Sequence, residues 1–172
     1  MTEVAQGAKV CPMEKAMERT LMLLKPDAVA RQLVGRIIGR FEAKGLKIIA
    51  MKMLRVSAEL AGQLYQAHRG EEFYQPLLEF ITAGPVIAMV AEGVRAIEIA
   101  RSLMGSTFGP EAAPGTIRGD FGASRRYNLV HGCDSQESAA REIPMFFSED
   151  ELLDYDPASL KWVYARADGK LI

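Results

Sequence analysis

The run Val86-Ile87-Ala88-Met89-Val90-Ala91, introduced by the breaker pair Gly84-Pro85, has the unbroken apolar character of a strand covered on both faces. A chain with such a strand must supply partners on either side of it and layers to bury it. Leu21-Met22-Leu23-Leu24, which stops at the turn chemistry of Lys25-Pro26-Asp27, reads as a second buried strand. Ile48 to Val56 alternates in part and reads as a third, and Tyr127 to His131 gives a brief fourth. Between them lie helices. Val34, Ile37, Ile38 and Phe41 fall at i, i+3, i+4 and i+7, and Gly45 ends that helix. Ser57 is placed as an N-cap before helices over Ala58 to Ala67 and Phe73 to Ile81. Val94, Ile97, Ala100 and Leu103 or Met104 space out another. Asp134-x-x-Glu137 reads as a capping box opening a helix through Ile143, and Ser148-x-x-Glu151 as a second box. Gly105 to Gly122, rich in glycine and carrying Pro110 and Pro114, reads as a long functional or mobile loop. This order predicts an α/β (α+β) chain of the ferredoxin-like, split βαβ kind: a four-stranded, mainly antiparallel sheet with helices covering one face.

At 172 residues, 49% of them apolar, the chain can bury one good core and is short for two. Residues 1–16 mix polar, charged and small residues and read as an extension, leaving 17–172 as a single domain. With 21 basic and 22 acidic residues there is no excess of positive charge to hold a nucleic acid, so an anion would have to be gripped locally by a few cations. No stretch approaches the roughly 20 apolar residues of a membrane span, and the N-terminus lacks a secretory apolar region. The two cysteines, Cys11 and Cys133, make no metal-ligand spacing and suit a reducing, cytoplasmic compartment.

Of the two histidines, His131 stands where the fourth strand meets a helix start, in Asn128-Leu129-Val130-His131-Gly132-Cys133-Asp134-Ser135. Imidazole is largely neutral near pH 7 and therefore a usable nucleophile, although a lone histidine is as readily a core or capping residue. His68 lies in the polar stretch His68-Arg69-Gly70-Glu71-Glu72 and reads as an exposed histidine. No glycine-rich phosphate loop of standard spacing is present, so any phosphate ester would have to be held by side chains. Lys25 at a strand end, Arg101 on a helix and Arg118 in Pro114-Gly115-Thr116-Ile117-Arg118-Gly119-Asp120 are candidates, each of which taken alone also fits a solvated surface charge.

Taken together, Lys25-Pro26-Asp27, Ala83-Gly84-Pro85-Val86, the Pro114 to Asp120 stretch and Asn128-x-x-His131-Gly132-x-Asp134-Ser135 resemble the nucleoside diphosphate kinase family, in order, from about Glu18 to about Tyr164. The resemblance implies a ping-pong reaction in which His131 takes the γ-phosphoryl group of a Mg2+-bound nucleoside triphosphate and passes it to a nucleoside diphosphate. It implies that Lys25 contacts the terminal phosphate and ribose hydroxyl, that Arg101, Thr107 and Arg118 hold phosphates, and that Asn128 binds the sugar. Phe73 would stack on the base, Tyr65 would be the active-site tyrosine, and Glu142 would orient the histidine. Mg2+ would be carried mainly by the nucleotide phosphates rather than by protein ligands. The tail Leu160-Lys161-Trp162-Val163-Tyr164 is similar to that of hexameric rather than tetrameric members.

Two departures stand out. Cys133 replaces the family's usual serine, and a thiol is the poorer hydrogen-bond partner, so orientation of His131 through Glu142 is expected to loosen without being lost. Gly109 occupies the family's proline position, with Pro110 one place later, which puts the loop conformation in question. Two rivals keep the same residues for other ends: a nucleotide-binding regulatory or scaffold protein with weak turnover, and a histidine phosphocarrier that leaves Phe73 and Asn128 without a role.

Overall fold

The computed structural model describes residues 17–157, 159–167 and 170–171. The extension expected over 1–16 lies outside the described residues. Four strands, β1 (Met17–Leu24), β2 (Lys47–Arg55), β3 (Pro85–Val94) and β4 (Val130–Gly132), form one antiparallel sheet in the order β2-β3-β1-β4. That is the strand order of a split βαβ sandwich.

The sheet is covered on both faces rather than one. Leu21 and Leu23 of β1, with Val86, Ala88 and Val90 of β3, pack with α3 (Ala58–Leu64), α4 (Tyr74–Thr82) and α7 (Gln136–Phe146). Met22 and Leu24, with Ile87, Met89 and Ala91, turn the other way onto α1 (Pro26–Ala30), α2 (Val34–Ala43), α5 (Ala96–Met104) and α6 (Ile117–Phe121). Strict alternation along the unbroken apolar runs Leu21–Leu24 of β1 and Val86–Ala91 of β3 is what sends the chain's helices to both sides. Ile37 and Phe41 of α2 are fully buried, each worth about 1.5–3 kcal/mol of transfer free energy.

Several boundaries move for local reasons. Residue 94 belongs to β3, which pairs with β1 as far as Met17↔Val94, so α5 starts at Ala96 after Arg95 takes a left-handed conformation. The fourth strand begins only at Val130, because Leu129 has φ +66° and breaks the extended run expected from Tyr127. The cap of α7 is Ser135 paired with Ser138, in place of Asp134 with Glu137; the Ser135 hydroxyl accepts from the Ser138 amide at 3.1 Å. Ser148 and Glu151 do form the expected box, over a single 3-10 turn. Nor is the long connection structureless: it holds a 3-10 turn at Gly109–Glu111 and α6, capped by Thr116. Gly109 is buried where a Cβ would run into the Gly122 backbone, so neither proline nor any other side chain fits there on this loop path. A tail follows through α8 (Leu160–Val163) to a short hairpin of β5 (Arg166–Ala167) and β6 (Lys170–Leu171).

Candidate active site

His131 sits at the centre of β4 opposite Leu23, which points its side chain toward the face covered by α3 and α7. There its Nε2 meets Glu142 Oε2 at 2.8 Å. Glu142 is only 4% exposed, a position α7 gives it by turning Ala139, Glu142 and Phe146 inward together. Its other oxygen accepts from Arg141 Nη2 at 2.8 Å, and Cys133 Sγ donates to Oε2 at 3.5 Å. Burial pushes the Glu142 carboxyl up, but the bonds from His131 and Cys133 and the charge of Arg141 outweigh it and hold the group ionised. Burial holds His131 below its usual value, with Lys25 and Arg118 acting in the same direction against Glu142, so the ring is neutral at pH 7. The same burial, and the charge of Glu142, push the Cys133 thiol up to about 12.

The cations converge from three other elements. Lys25 follows β1 as the N-cap of α1 and is 5% exposed; its Nζ donates to Asn128 Oδ1 at 2.8 Å. Burial, then the charge of Arg118, bring its ammonium down to about 8. Arg118 on α6 spends its guanidinium on backbone carbonyls, those of Asn128 (3.0 Å), Gly105 (2.8 Å), Val130 (2.8 Å) and Ser106 (3.4 Å). Burial and the neighbouring charge of Arg101 bring it to about 10. Asn128 Nδ2 in turn donates to the Thr107 carbonyl at 3.0 Å, which ties the long loop to the cluster. Arg101 and Thr107 are exposed. Two buried cations whose side-chain bonds go to neutral amide and carbonyl oxygens are costly unless an anion joins them.

An aromatic row leads away from the histidine. Tyr65, 5% exposed, packs edge-on against His131 with centroids 5.7 Å apart, and its buried hydroxyl has no hydrogen-bond partner among the described residues. Burial, with the charge of Glu142, raises its phenol above the usual range. His68 lies 6.3 Å from Tyr65 and 5.4 Å from Phe73. Phe73 is 48% exposed and so offers a free ring face rather than core packing. His68 is exposed as its polar stretch predicts, yet it is not idle: it bridges the two aromatic candidates. All nine residues singled out in the sequence therefore fall in or against one cluster. Sequence reasoning missed Arg141, which holds the second oxygen of Glu142; an arginine beside a glutamate on a helix gives no signal of that bond.

A neutral imidazole backed by a buried carboxylate, beside cations whose side-chain hydrogen bonds go to neutral oxygens, suits nucleophilic attack on a phosphoryl group. The sequence model of the family described as nucleoside diphosphate kinase matches residues 18–152. The chain belongs to the nucleoside diphosphate kinase family. The nucleoside diphosphate kinase of Archaeoglobus fulgidus is 53% identical over 148 residues, covering 86% of this chain and 98% of its own. That of Bacillus licheniformis is also 53% identical over 148 residues, covering 86% of this chain and all of its own. Among solved structures, the halophilic nucleoside diphosphate kinase from Halobacterium salinarum in complex with CDP superposes with a TM-score of 0.84 at 47% identity, covering 86% of this chain and 99% of that one. As a nucleoside diphosphate kinase family member the chain is an enzyme, a phosphotransferase acting between nucleotides, and its antiparallel sheet with helices is the ferredoxin-like fold of that family.

Proposed function

We propose that His131 is the phosphoryl acceptor of a ping-pong nucleoside diphosphate kinase reaction. The observation that carries this reading is the 2.8 Å bond between His131 Nε2 and the buried Glu142 carboxylate. With the proton held on Nε2, the lone pair on Nδ1 attacks the γ-phosphorus of a nucleoside triphosphate. The bond from that phosphorus to the β-bridging oxygen breaks, and the nucleoside diphosphate leaves. A second nucleoside diphosphate then attacks the phosphohistidine with a terminal phosphate oxygen, returning the electron pair to Nδ1. Transfer of this kind needs in-line positioning and neutralisation of the phosphoryl oxygens more than it needs a strong base.

Lys25, Arg118, Arg101 and Thr107 are given the phosphates, with Lys25 reaching both the terminal phosphate and the ribose hydroxyl, and Asn128 binding the sugar. Phe73 takes the base, and a π-face accepts any base, which accounts for low base specificity. The Tyr65 hydroxyl, buried beside His131 without a partner among the described residues, is free to bond a phosphoryl oxygen. Mg2+ enters as part of the substrate, carried on the nucleotide phosphates; the Glu142 carboxylate is taken up by His131 and Arg141, and the further charges acting on His131 are the cations Lys25 and Arg118, a set suited to phosphate rather than to a dication. The complex of the halobacterial relative with CDP supports a nucleotide as ligand.

We further take 17–172 as one catalytic domain preceded by an extension at 1–16, working in the cytoplasm, where the free thiol of buried Cys133 would persist. Among the described residues no helix is long and apolar enough to cross a membrane. A homo-oligomer is supported by the edge strand β2, which leaves Met51 and Met53 at 54% and 61% exposure, and a hexamer is taken ahead of a tetramer on the resemblance of the tail Leu160 to Tyr164. The regulatory or scaffold reading is not favoured, because the family model and the relatives this chain matches are nucleoside diphosphate kinases.

The decisive experiment incubates the protein with γ-labelled ATP and Mg2+, looks for acid-labile phosphoenzyme, and then adds GDP. Labelled protein that discharges to labelled GTP is expected, and His131→Ala should take no label. Absence of phosphoenzyme would reject the kinase reading, and label that GDP cannot discharge would favour a carrier.

A further inference from the structure

The residue between the sugar-binding Asn128 and the acceptor strand is in an uncommon state. Leu129 is fully buried and has φ +66°, a left-handed conformation costly for a leucine. The Val130 amide donates to the Asn128 carbonyl at 2.7 Å, so the chain makes a three-residue γ-turn centred on Leu129, in its rare positive-φ form. Such a turn persists only if its surroundings hold it, and here both backbone groups of Leu129 are held by the turn after β1. The Lys25 amide donates to the Leu129 carbonyl at 2.8 Å, and the Leu129 amide donates to Asp27 Oδ2 at 3.1 Å.

We infer that Asp27 is a positioning residue for the phosphoryl transfer: its carboxylate locks the strained turn at Leu129 and thereby sets Asn128 and His131 in place against Lys25 and Arg118. This inference rests on the kinase reading above. The geometry is a closed frame. Lys25 touches Asn128 through its side chain and Leu129 through its backbone; Arg118 grips the carbonyls on either side of that turn, those of Asn128 and Val130; Asp27 supplies the remaining bond, to the Leu129 amide. If the turn relaxed to negative φ, the Asn128 carbonyl would swing away from Arg118, and β4 would enter the sheet with His131 displaced from its opposite number, Leu23. A displacement of about 1 Å at a reacting atom is enough to cost on the order of 10²-fold in rate. The fold gives up solvation of a charge to hold this turn. Asp27 Oδ1 is buried with no hydrogen-bond partner among the described residues, and burial raises the carboxyl above its usual range against the pull of the Leu129 amide and of Lys25. Nothing in the chemistry of phosphoryl transfer requires this carboxylate to touch the nucleotide.

The test separates rate from folded fraction. In single-turnover labelling with γ-labelled ATP, the amplitude counts folded sites and the rate constant at saturating ATP reports positioning. For Asp27→Ala, which leaves the Leu129 amide without an acceptor, the expected result is a rate constant on the order of 10²-fold below wild type at the amplitude of its folded fraction. Asp27→Asn keeps an acceptor oxygen and is expected to recover about tenfold of that loss. Wild-type rate in Asp27→Ala, or equal slowing in Ala and Asn, would overturn the inference. Should Asp27→Ala fail to fold, Asp27→Glu keeps the charge but moves the acceptor by one methylene. It is expected to label fully at about a tenth of the rate, and a wild-type rate there would overturn the inference. A wild-type protein that takes no label would instead refute the kinase reading itself.

Discussion

Replacing Glu142 with glutamine is the sharpest perturbation of the proposed nucleophile, because it changes one atom and no volume. The lost interaction is a charge-assisted bond of 2.8 Å to a carboxylate that is 4% exposed, so solvent screens it little. Bonds of that type contribute about 1.5–3 kcal/mol. Attack on phosphorus also leaves the ring cationic, and a carboxylate about 4 Å from that charge is worth about 4 kcal/mol at an effective dielectric constant near 20. The two contributions overlap rather than add, which gives a loss of about 10²- to 10³-fold, or roughly 3–4 kcal/mol of barrier. Arg141 makes the substitution worse. Its guanidinium donates to Oε1 and can only donate, so the new amide must turn its oxygen to Arg141 and its NH2 to His131. That NH2 donates to Nε2 and drives the imidazole proton onto the nitrogen that has to attack. Quenched-flow labelling with γ-labelled ATP should therefore show a slowed rate constant with nucleotide affinity unchanged. Adding Arg141→Ala to Glu142→Gln frees the amide to rotate and should recover part of the rate. A Glu142→Gln rate within about threefold of wild type, or a loss confined to KM, would refute the orientation argument.

The remaining expectations follow from the same geometry. The profile of kcat/KM against pH should fall on the acid side only below the usual imidazole pKa of about 6.5, since burial depresses His131 and the neutral ring is the nucleophile. It should fall again as pH rises through about 8, where Lys25 loses its proton; a flat profile to pH 9.5 would contradict that assignment. Cys133→Ser should change turnover by no more than about threefold in steady-state assay, because Glu142 is already fixed by His131 and Arg141 and a thiol at 3.5 Å is a weak donor. Phe73→Ala should raise KM for ADP and CDP alike by about 5- to 150-fold with kcat retained, the loss of one stacking platform. Gly109→Ala should lower stability to thermal or urea unfolding by about 1–3 kcal/mol through overlap with the Gly122 backbone.

What the sequence made legible was the sheet and the identity of the cluster; what it hid was backbone direction. Apolar runs at Leu21–Leu24 and Val86–Ala91 announce central strands, because burial on both faces leaves no polar position to blur the pattern. Having both faces apolar already implied helices on both sides, an implication that the chain order of helices conceals and the alternation of Leu21, Leu23 against Met22, Leu24 reveals. The short elements were the hard ones. The five-residue helices α1 and α6 bury too little to show periodicity, and α6 lies in a stretch whose glycines and prolines read as loop. Leu129 could not be foreseen at all: a leucine at positive φ contradicts its own propensity and is held there by Asp27 and Lys25, distant in sequence, with Arg118 gripping the carbonyls on either side.

The site's electrostatics explain why these groups had to be buried together. A lone buried lysine tends to discharge, and Lys25 already stands near 8 through burial and the repulsion of Arg118. A nucleotide phosphate entering the cluster outweighs both effects: its negative charge supplies the counter-charge that neither cation has among its side-chain hydrogen bonds, and it raises the pKa of Lys25 again. Burying two cations against neutral oxygens costs the fold solvation, and anion binding offsets that cost, which favours phosphate over any neutral ligand of the same shape. Saturation with ATP should accordingly shift the alkaline limb seen in kcat above that seen in kcat/KM, since the first reports Lys25 in the complex and the second in the free enzyme. Coincident limbs in the two profiles would mean that the titrating group is not in contact with the phosphates, and would move Lys25 out of the binding role.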